Sequence, residues 1–337
     1  MNKQLTLSGM TDELAQARTS KKEFLEKIEA IIPWKEFIEE IQPFYYKGER
    51  GNKPYELELM LRIFILQNLY DISDMGLMNE IIDSRAFSEF CGVDSSNQVP
   101  DGDTIGRFRN LLVANKLQEK LFVRVISILK ERKLILKKGT IVDSTIIDAP
   151  SSTKNQNKER DPDAKSTKKG KNWRFGYKAH IGVDKDSGLV HHLKVTGANE
   201  HDSNVVADLM HGEEETLHGD SGYLGSDKKE NAITKNEKGK KIKYIINRRP
   251  SSIKKLSPSG QSRAKKVEKA KSSVRCKVEH VFAVVKKLFK YRKTRYRGLE
   301  RQTAKLNTCN VQRELNFTKT LQIQMMKTVG NRQIENR

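Results

Sequence analysis

Over the first 136 residues, apolar side chains recur every three to four positions, the repeat of one helical face. The spacing of Phe24, Leu25, Ile28, Ile31 and Ile32 predicts a helix over 20–32 with Ser20 as its N-cap. Leu57, Leu59, Met60, Ile63, Phe64, Leu66 and Leu69 crowd more than one face, so the helix over 55–71 is expected to be buried. Short helices are predicted over 74–83 and 85–91. Pro100-Asp101-Gly102-Asp103-Thr104 is a turn that opens a helix at Thr104 and carries it to Val113. Another helix, over 116–130, leads to Leu134. Residues 1–136 thus read as an all-helical domain.

The period changes at Lys137. Gly139 to Ile147 is β-branched and apolar on both faces, as in a central strand of a covered sheet, yet it holds Asp143 in its middle. Residues 151–172 read as a polar loop. Trp173 to Asp184 alternates as a strand, Asp186-Ser187-Gly188 turns, and Leu189 to Thr196 returns as its hairpin partner. A helix is expected over 201–211, a strand from Thr216 to Asp220, a helix from Gly225 to about Thr234, and a strand over 241–247. Residues 250–270, rich in serine and lysine, read as a mobile basic insertion. Amphipathic helices follow over 274–291 and 301–315, and a frayed tail over 329–337. This order gives an α/β domain over 137–328: a mixed five-stranded sheet with flanking helices and right-handed crossovers. That is the order of the ribonuclease-H-like fold.

Charge changes the picture by its placement. The 337 residues carry 64 lysines and arginines against 43 acids, a net of +21. Residues 1–150 are near neutral at −2 and residues 181–230 stand at −7, whereas residues 231–300 carry +19. A surplus so concentrated points to a polyanion, most naturally nucleic acid. Cys91, Cys276 and Cys309 form no C-x-x-C pair, which argues against a disulfide framework or cysteine–zinc site and fits a reducing, cytoplasmic setting. No apolar run approaches a membrane span and no signal peptide is expected. No phosphate-binding G-x-x-x-x-G-K-[ST] loop is present, so no nucleotide cofactor is expected, and no nucleophile elbow is found.

Three carboxylates are the candidates for chemistry. Asp143 lies inside an apolar strand, where an unpaired carboxylate is costly. Asp220 ends the next strand of the parallel set, where ligands bind in open sheets. Glu279 sits at the edge of the apolar stripe of the helix over 274–291, four residues after Arg275 and seven before Lys286. Each alone has a plain alternative: a structural aspartate, a turn aspartate, a surface ion pair. Together, three oxygen donors suit Mg²⁺ or Mn²⁺. Two such ions about 4 Å apart can run phosphodiester chemistry. Asp202, Asp208, Asp227 and the Glu213-Glu214-Glu215 run rank lower, the run reading as a solvated face. His180, His201 and His280 read as structural.

These residues carry a resemblance. Gly139-Thr140-Ile141-Val142-Asp143-Ser144-Thr145-Ile146-Ile147-Asp148-Ala149-Pro150, Phe175 to Asp184, Ala198-Asn199-Glu200-His201-Asp202, Asp220-Ser221-Gly222-Tyr223 and Arg275-x-x-x-Glu279-His280-x-Phe282 resemble bacterial insertion-sequence transposases of the DDE type, nearest the family of insertion sequence five. The resemblance implies that Asp143, Asp220 and Glu279 are the catalytic and metal-binding triad, holding two Mg²⁺ or Mn²⁺ ions. Arg275, Glu279 and Lys286 fit the family pattern Tyr-x₂-Arg-x₃-Glu-x₆-Lys, with Ser272 in the tyrosine's place. It implies cleavage at the terminal inverted repeats of an element and joining of the 3′-hydroxyl ends to target DNA, by a homodimer on DNA that is cytoplasmic and nucleoid-associated when bound. Pro54 to Leu112 resembles the family's N-terminal DNA-binding region. Arg107, Arg109 and Asn110 are the candidates for reading the repeats, and Arg275, Lys286, Lys254, Lys255, Lys265 and Lys266 for holding DNA. The rivals are a metal-dependent nuclease or junction resolvase of the same fold and a transposase-derived DNA-binding protein without activity.

Overall fold

The computed structural model describes residues 18–47, 53–154 and 158–335, with side chains as far as Phe317. The first region is helical throughout: α1 (Ser20–Ile31), α2 (Trp34–Ile41), α3 (Leu57–Tyr70), α4 (Asp74–Asp83), α5 (Arg85–Cys91), α6 (Gly102–Ala114) and α7 (Leu117–Glu131). Two caps lie just ahead of the expected residues. Thr19 accepts the Lys22 amide hydrogen at the head of α1, and Asp101 accepts that of Thr104, starting α6 at Gly102. The crowded helix α3 is buried on nearly all sides, from Leu57 to Leu69. Helix α2 is not among the expected elements, although Phe37 and Ile41 anchor it in the core.

The second region is built on β1 (Gly139–Asp148), β2 (Lys165–Lys169), β3 (Asn172–Asp184), β4 (Val190–Gly197), β5 (Thr216–Gly219) and β6 (Lys243–Ile246). Six strands form one mixed sheet in the order β2-β3-β1-β5-β6, with β4 also on β3. The extra strand, β2, lies inside the segment expected to be a loop. It folds back on β3 through a two-residue turn, Gly170-Lys171, whose glycine has φ +64°, the conformation of a primed hairpin turn. Gly176 in β3 is required by contact: a Cβ there would lie 2.1 Å from the Ile147 carbonyl oxygen. Two helical expectations and one loop are corrected. Residues 201–211 and 225–234 hold only single 3₁₀ turns, at Asp202–Asn204, Ala207–Leu209 and Ser226–Lys228. The supposed loop over 250–270 is helical: α8 (Pro250–Lys254), then α9 (Pro258–Ala283), which ends in a π-helical turn, Val284–Leu288.

Val278 and Val281 of α9, with Val285 of the π-helical turn, pack on one sheet face with Ile141, Ile147, Ala179 and Ile181. Tyr223 and the turns carrying Val205, Val206 and Leu209 cover the other, against Val142 and Leu217. The last helix, α10 (Leu299–Glu335), runs well beyond the expected 315 and through most of the expected tail. It inserts into the N-terminal bundle, where Gln312 donates to the Ile65 carbonyl at 3.1 Å and Lys305 to Asn68 at 3.0 Å. It also holds the β3–β4 turn, since Arg313 donates to the Gly188 carbonyl and Glu314 accepts from the Val190 amide. One apolar core therefore runs from Leu25 to Leu315. Among the described residues no helix is long and apolar enough to cross a membrane.

Candidate active site

Asp143 stands where β1 opens. Gly139 to Val142 are buried, Asp143 to Thr145 are half-buried, and Ile146 and Ile147 are buried again. The opening has a topological cause. β5 pairs with β1 only from Gly139↔Thr216 to Ile141↔His218. Beyond that point the parallel strands part, leaving a crevice at their carboxyl ends, the position where such sheets bind ligands. Asp220 follows β5 directly and caps the turn Ser221–Tyr223, accepting the Gly222 amide hydrogen at 2.8 Å. Asp143 accepts the Ser144 amide hydrogen at 2.8 Å and one from Arg275 Nη1 at 2.9 Å. Burial pushes its carboxyl up to about 6. The negative charge of Asp220 adds to the rise, while Ser144 and Arg275 oppose it.

The third carboxylate comes from α9. Glu279 is 67% exposed, and Arg275, one turn earlier, lies between it and the sheet, 4.0 Å from Glu279. The guanidinium is thus the cation that Asp143 and Glu279 share. Among the described residues no three ligating side chains stand close enough to hold a metal ion without adjustment.

Beside this pair lies a polar group that the sequence ranking placed lower. Asp202 accepts from Ser144 Oγ at 2.9 Å, pairs with Lys178 at 3.1 Å and lies 3.6 Å from His180 Nδ1. A Cβ on Gly222 would sit 3.0 Å from Asp220 Oδ1 and 3.5 Å from Asp202 Oδ2, so the two aspartates converge on that glycine. His180 is fully buried and bonded to Thr196. Burial holds its imidazole down to about 4, against the pull of Asp202. Tyr223 is also buried, and its hydroxyl is held well above its ordinary pKa by burial and then by Asp202, Asp143 and Asp220. The strand alternation of Lys178 and His180, opposite Ile146 and Ser144, was the available signal for this group. The Glu213-Glu214-Glu215 run is not a uniformly solvated face: Glu214 is fully buried, accepting from Thr140 Oγ1 and the His211 and Gly212 amides.

Residues 135–311 match the family model of the transposase DDE domain, and residues 12–111 match that of a transposase domain (DUF772). The chain belongs to the DDE transposases. The first match spans β1 through the first turns of α10, including all three carboxylates. The second covers the N-terminal helices into α6. In this transposase, Lys286 is half-buried and donates to the Ile146 carbonyl at 2.8 Å, beside Arg174, Lys169 and Asp148. Burial, followed by the charge of Arg174 and Lys169, lowers its ammonium to about 8. Ser272 accepts weakly from Asn247 at 3.4 Å. Lys254 and Lys255 are exposed around the end of α8, and Lys265 and Lys266 are exposed along α9. On α6, Arg107 and Asn110 are exposed. Arg109 turns inward, paired with Asp74 and stacked 4.4 Å from the Tyr296 ring.

Proposed function

We propose that this chain is the transposase of an insertion sequence in the family of insertion sequence five, that it cuts phosphodiester bonds at the element's terminal inverted repeats, and that it joins the freed 3′-hydroxyls to target DNA. The observation that carries the reading is the meeting of Asp143 and Asp220 in one crevice, with Glu279 held beside them through Arg275. The all-oxygen donor set and the raised carboxyl of Asp143 next to a second carboxylate fit a hard divalent cation. Asp143 and Asp220 would hold such ions, with Glu279 completing the set from α9. When bound, Mg²⁺ or Mn²⁺ activates the attacking oxygen and stabilises the leaving one. Arg275 balances the carboxylates in the absence of DNA, and its turn toward Glu279 clears Asp143. Asp202, Lys178 and Ser144 brace the strand on which Asp143 sits. Lys286 is braced against β1 near the DNA path. Lys254, Lys255, Lys265 and Lys266 neutralise phosphates, while Arg107 and Asn110 read bases and Arg109 positions their helix. Two ends must be brought together, so the working unit is a homodimer on DNA, in the cytoplasm.

The test uses duplexes made from the DNA that flanks the gene, a supercoiled target and Mg²⁺. The wild type cuts and joins. Asp220→Asn binds equally well but loses at least about a thousandfold in both steps, since one metal ligand is gone and the basic surface is intact. Comparable cleavage by the variant would remove Asp220 from the site. Cutting without joining would make the protein a nuclease.

A further inference from the structure

The β2–β3 hairpin stands apart from the site. β1 ends at Asp148↔Gly176, so beyond that point the sheet is a ribbon of two strands only, Lys165–Lys169 against Asn172–Gly176. From Lys165 to Arg174 there are five cations and no carboxylate. Lys168, Lys169 and Lys171 are exposed. Between them stands Trp173, 71% exposed, the most exposed large apolar side chain among the described residues. Trp34, by contrast, lies against Phe90 and the Arg62 guanidinium, whereas no ring or cation of the described protein covers Trp173.

Register adds direction. Lys168 faces Trp173 across the ribbon, so the two share a side. Asp143 faces Ile181, and Trp173 lies eight residues before Ile181 on the same strand, so by alternation Trp173 and Asp143 belong to one side of the sheet. Eight residues of strand span about 26 Å, close to eight base pairs of B-form DNA.

We propose that this hairpin is a DNA-gripping ribbon whose Trp173 stacks on a nucleobase while its lysines hold the adjoining phosphates. The reading rests on DNA being the substrate of the crevice. A two-stranded ribbon with lysines on both strands can follow a DNA backbone and bring its indole to a base left unstacked at the end of a duplex or in an overhang. An indole left in water beside lysines is the combination that stacks on bases, because every base offers a π-face and the flanking charge holds the backbone. The structure has no folding use for the ring, so replacing it leaves the core untouched.

The experiment binds an end-labelled duplex, blunt or with a 3′ overhang, to full-length protein. Anisotropy of the label and tryptophan emission are read together. Emission of the wild type falls on binding, and the fall disappears in Trp173→Phe, where Trp34 alone reports. Trp173→Ala binds about tenfold more weakly with an unchanged salt slope. The double variant Lys168→Ala, Lys171→Ala flattens that slope. DNA binding with unchanged emission, or an equal fall in Trp173→Phe, overturns the proposal and leaves the transposase reading standing. Emission that changes with protein concentration and not with DNA overturns it in favour of a second copy at the hairpin. Quenching without metal-dependent cleavage removes the transposase reading and leaves the ribbon.

Discussion

The half-buried arginines of the N-terminal bundle and the outward lysines of the α8–α9 arm are placed in opposite ways. In the bundle Arg62 lies between Glu29 and Glu58, 2.5 and 2.7 Å away, with Trp34 beneath it. Arg109 is paired with Asp74, and Lys22 with Glu89. Along the arm Lys254, Lys255, Lys265 and Lys266 are exposed and, among the described residues, join no ion pair with a carboxylate. Net charge follows the same division, −2 in residues 1–150 and +19 in residues 231–300. The lesson is that a cation's function depends on whether the fold already supplies its counter-charge. A paired arginine holds helices together, and an unpaired lysine is available to a phosphate.

The largest test of that division removes the arm's charge. Changing all four lysines to alanine should cost roughly tenfold in DNA affinity per neutralised phosphate at about 0.1 M salt, and should flatten the plot of log affinity against log salt by about 0.9 per contact. Stability in denaturant should hardly move. An unchanged slope would mean that the arm is solvated surface.

Acid separates the regions next. All seven histidines lie between His180 and His280, and none lies in the bundle. His218 on β5 is buried, neither ring nitrogen has a partner among the described residues, and burial followed by the charge of Lys185 holds its imidazole down to about 4. The unfolded chain takes up that proton near pH 6.5 and the folded chain does not. The contribution is therefore full above pH 6.5 and is lost as pH falls toward 4, by roughly 3 kcal/mol. Denaturant titrations at pH 7 and pH 4 should show His218→Leu less acid-sensitive than wild type by that amount. Equal sensitivity would assign the loss to other groups.

The smallest effect is the most discriminating. Arg109→Ala should destabilise the fold by about 2 kcal/mol, because Asp74 loses its counter-charge and keeps only the Gln67 amide, and the Tyr296 ring loses its stacked guanidinium, and should leave the salt slope alone. Arg107→Ala should do the reverse, sparing stability and costing about 1 kcal/mol of preference for the repeat over scrambled duplex. Loss of preference with full stability in Arg109→Ala would make that side chain a reader.

What was legible in the sequence followed from burial. The helices of the bundle other than α2 and the strands β1, β3, β4, β5 and β6 carry periodic apolar residues over enough positions to be visible; α2, only eight residues from Trp34 to Ile41, was not. β2 was not, because Lys-Ser-Thr-Lys-Lys is solvated on both faces and leaves no alternation. α9 was half-visible for the same reason. Its first four turns are polar all round, and only Ser257 followed by Pro258, a cap and a first-turn proline, announced them. Asp143 stood out as a carboxylate inside an apolar strand, and the structure places it where β1 opens. Asp202 did not stand out, since its importance arises from Ser144, Lys178 and His180, which only the folding of β3 against β1 brings to it.

The seat of α10 in the bundle sets a timetable for synthesis. Leu306, Val311 and Leu315 complete a core that begins with Leu25 and Ile28. At about 5–20 residues per second, the ribosome needs roughly 10–40 s to pass from the end of α7 to that segment. Throughout that interval the first helices have apolar faces and no lid, the condition in which nascent chains recruit chaperones or stick to one another. A chain cut before the last helix would leave that core without Leu306, Val311 and Leu315, and so open on the side where Leu25 and Ile28 lie.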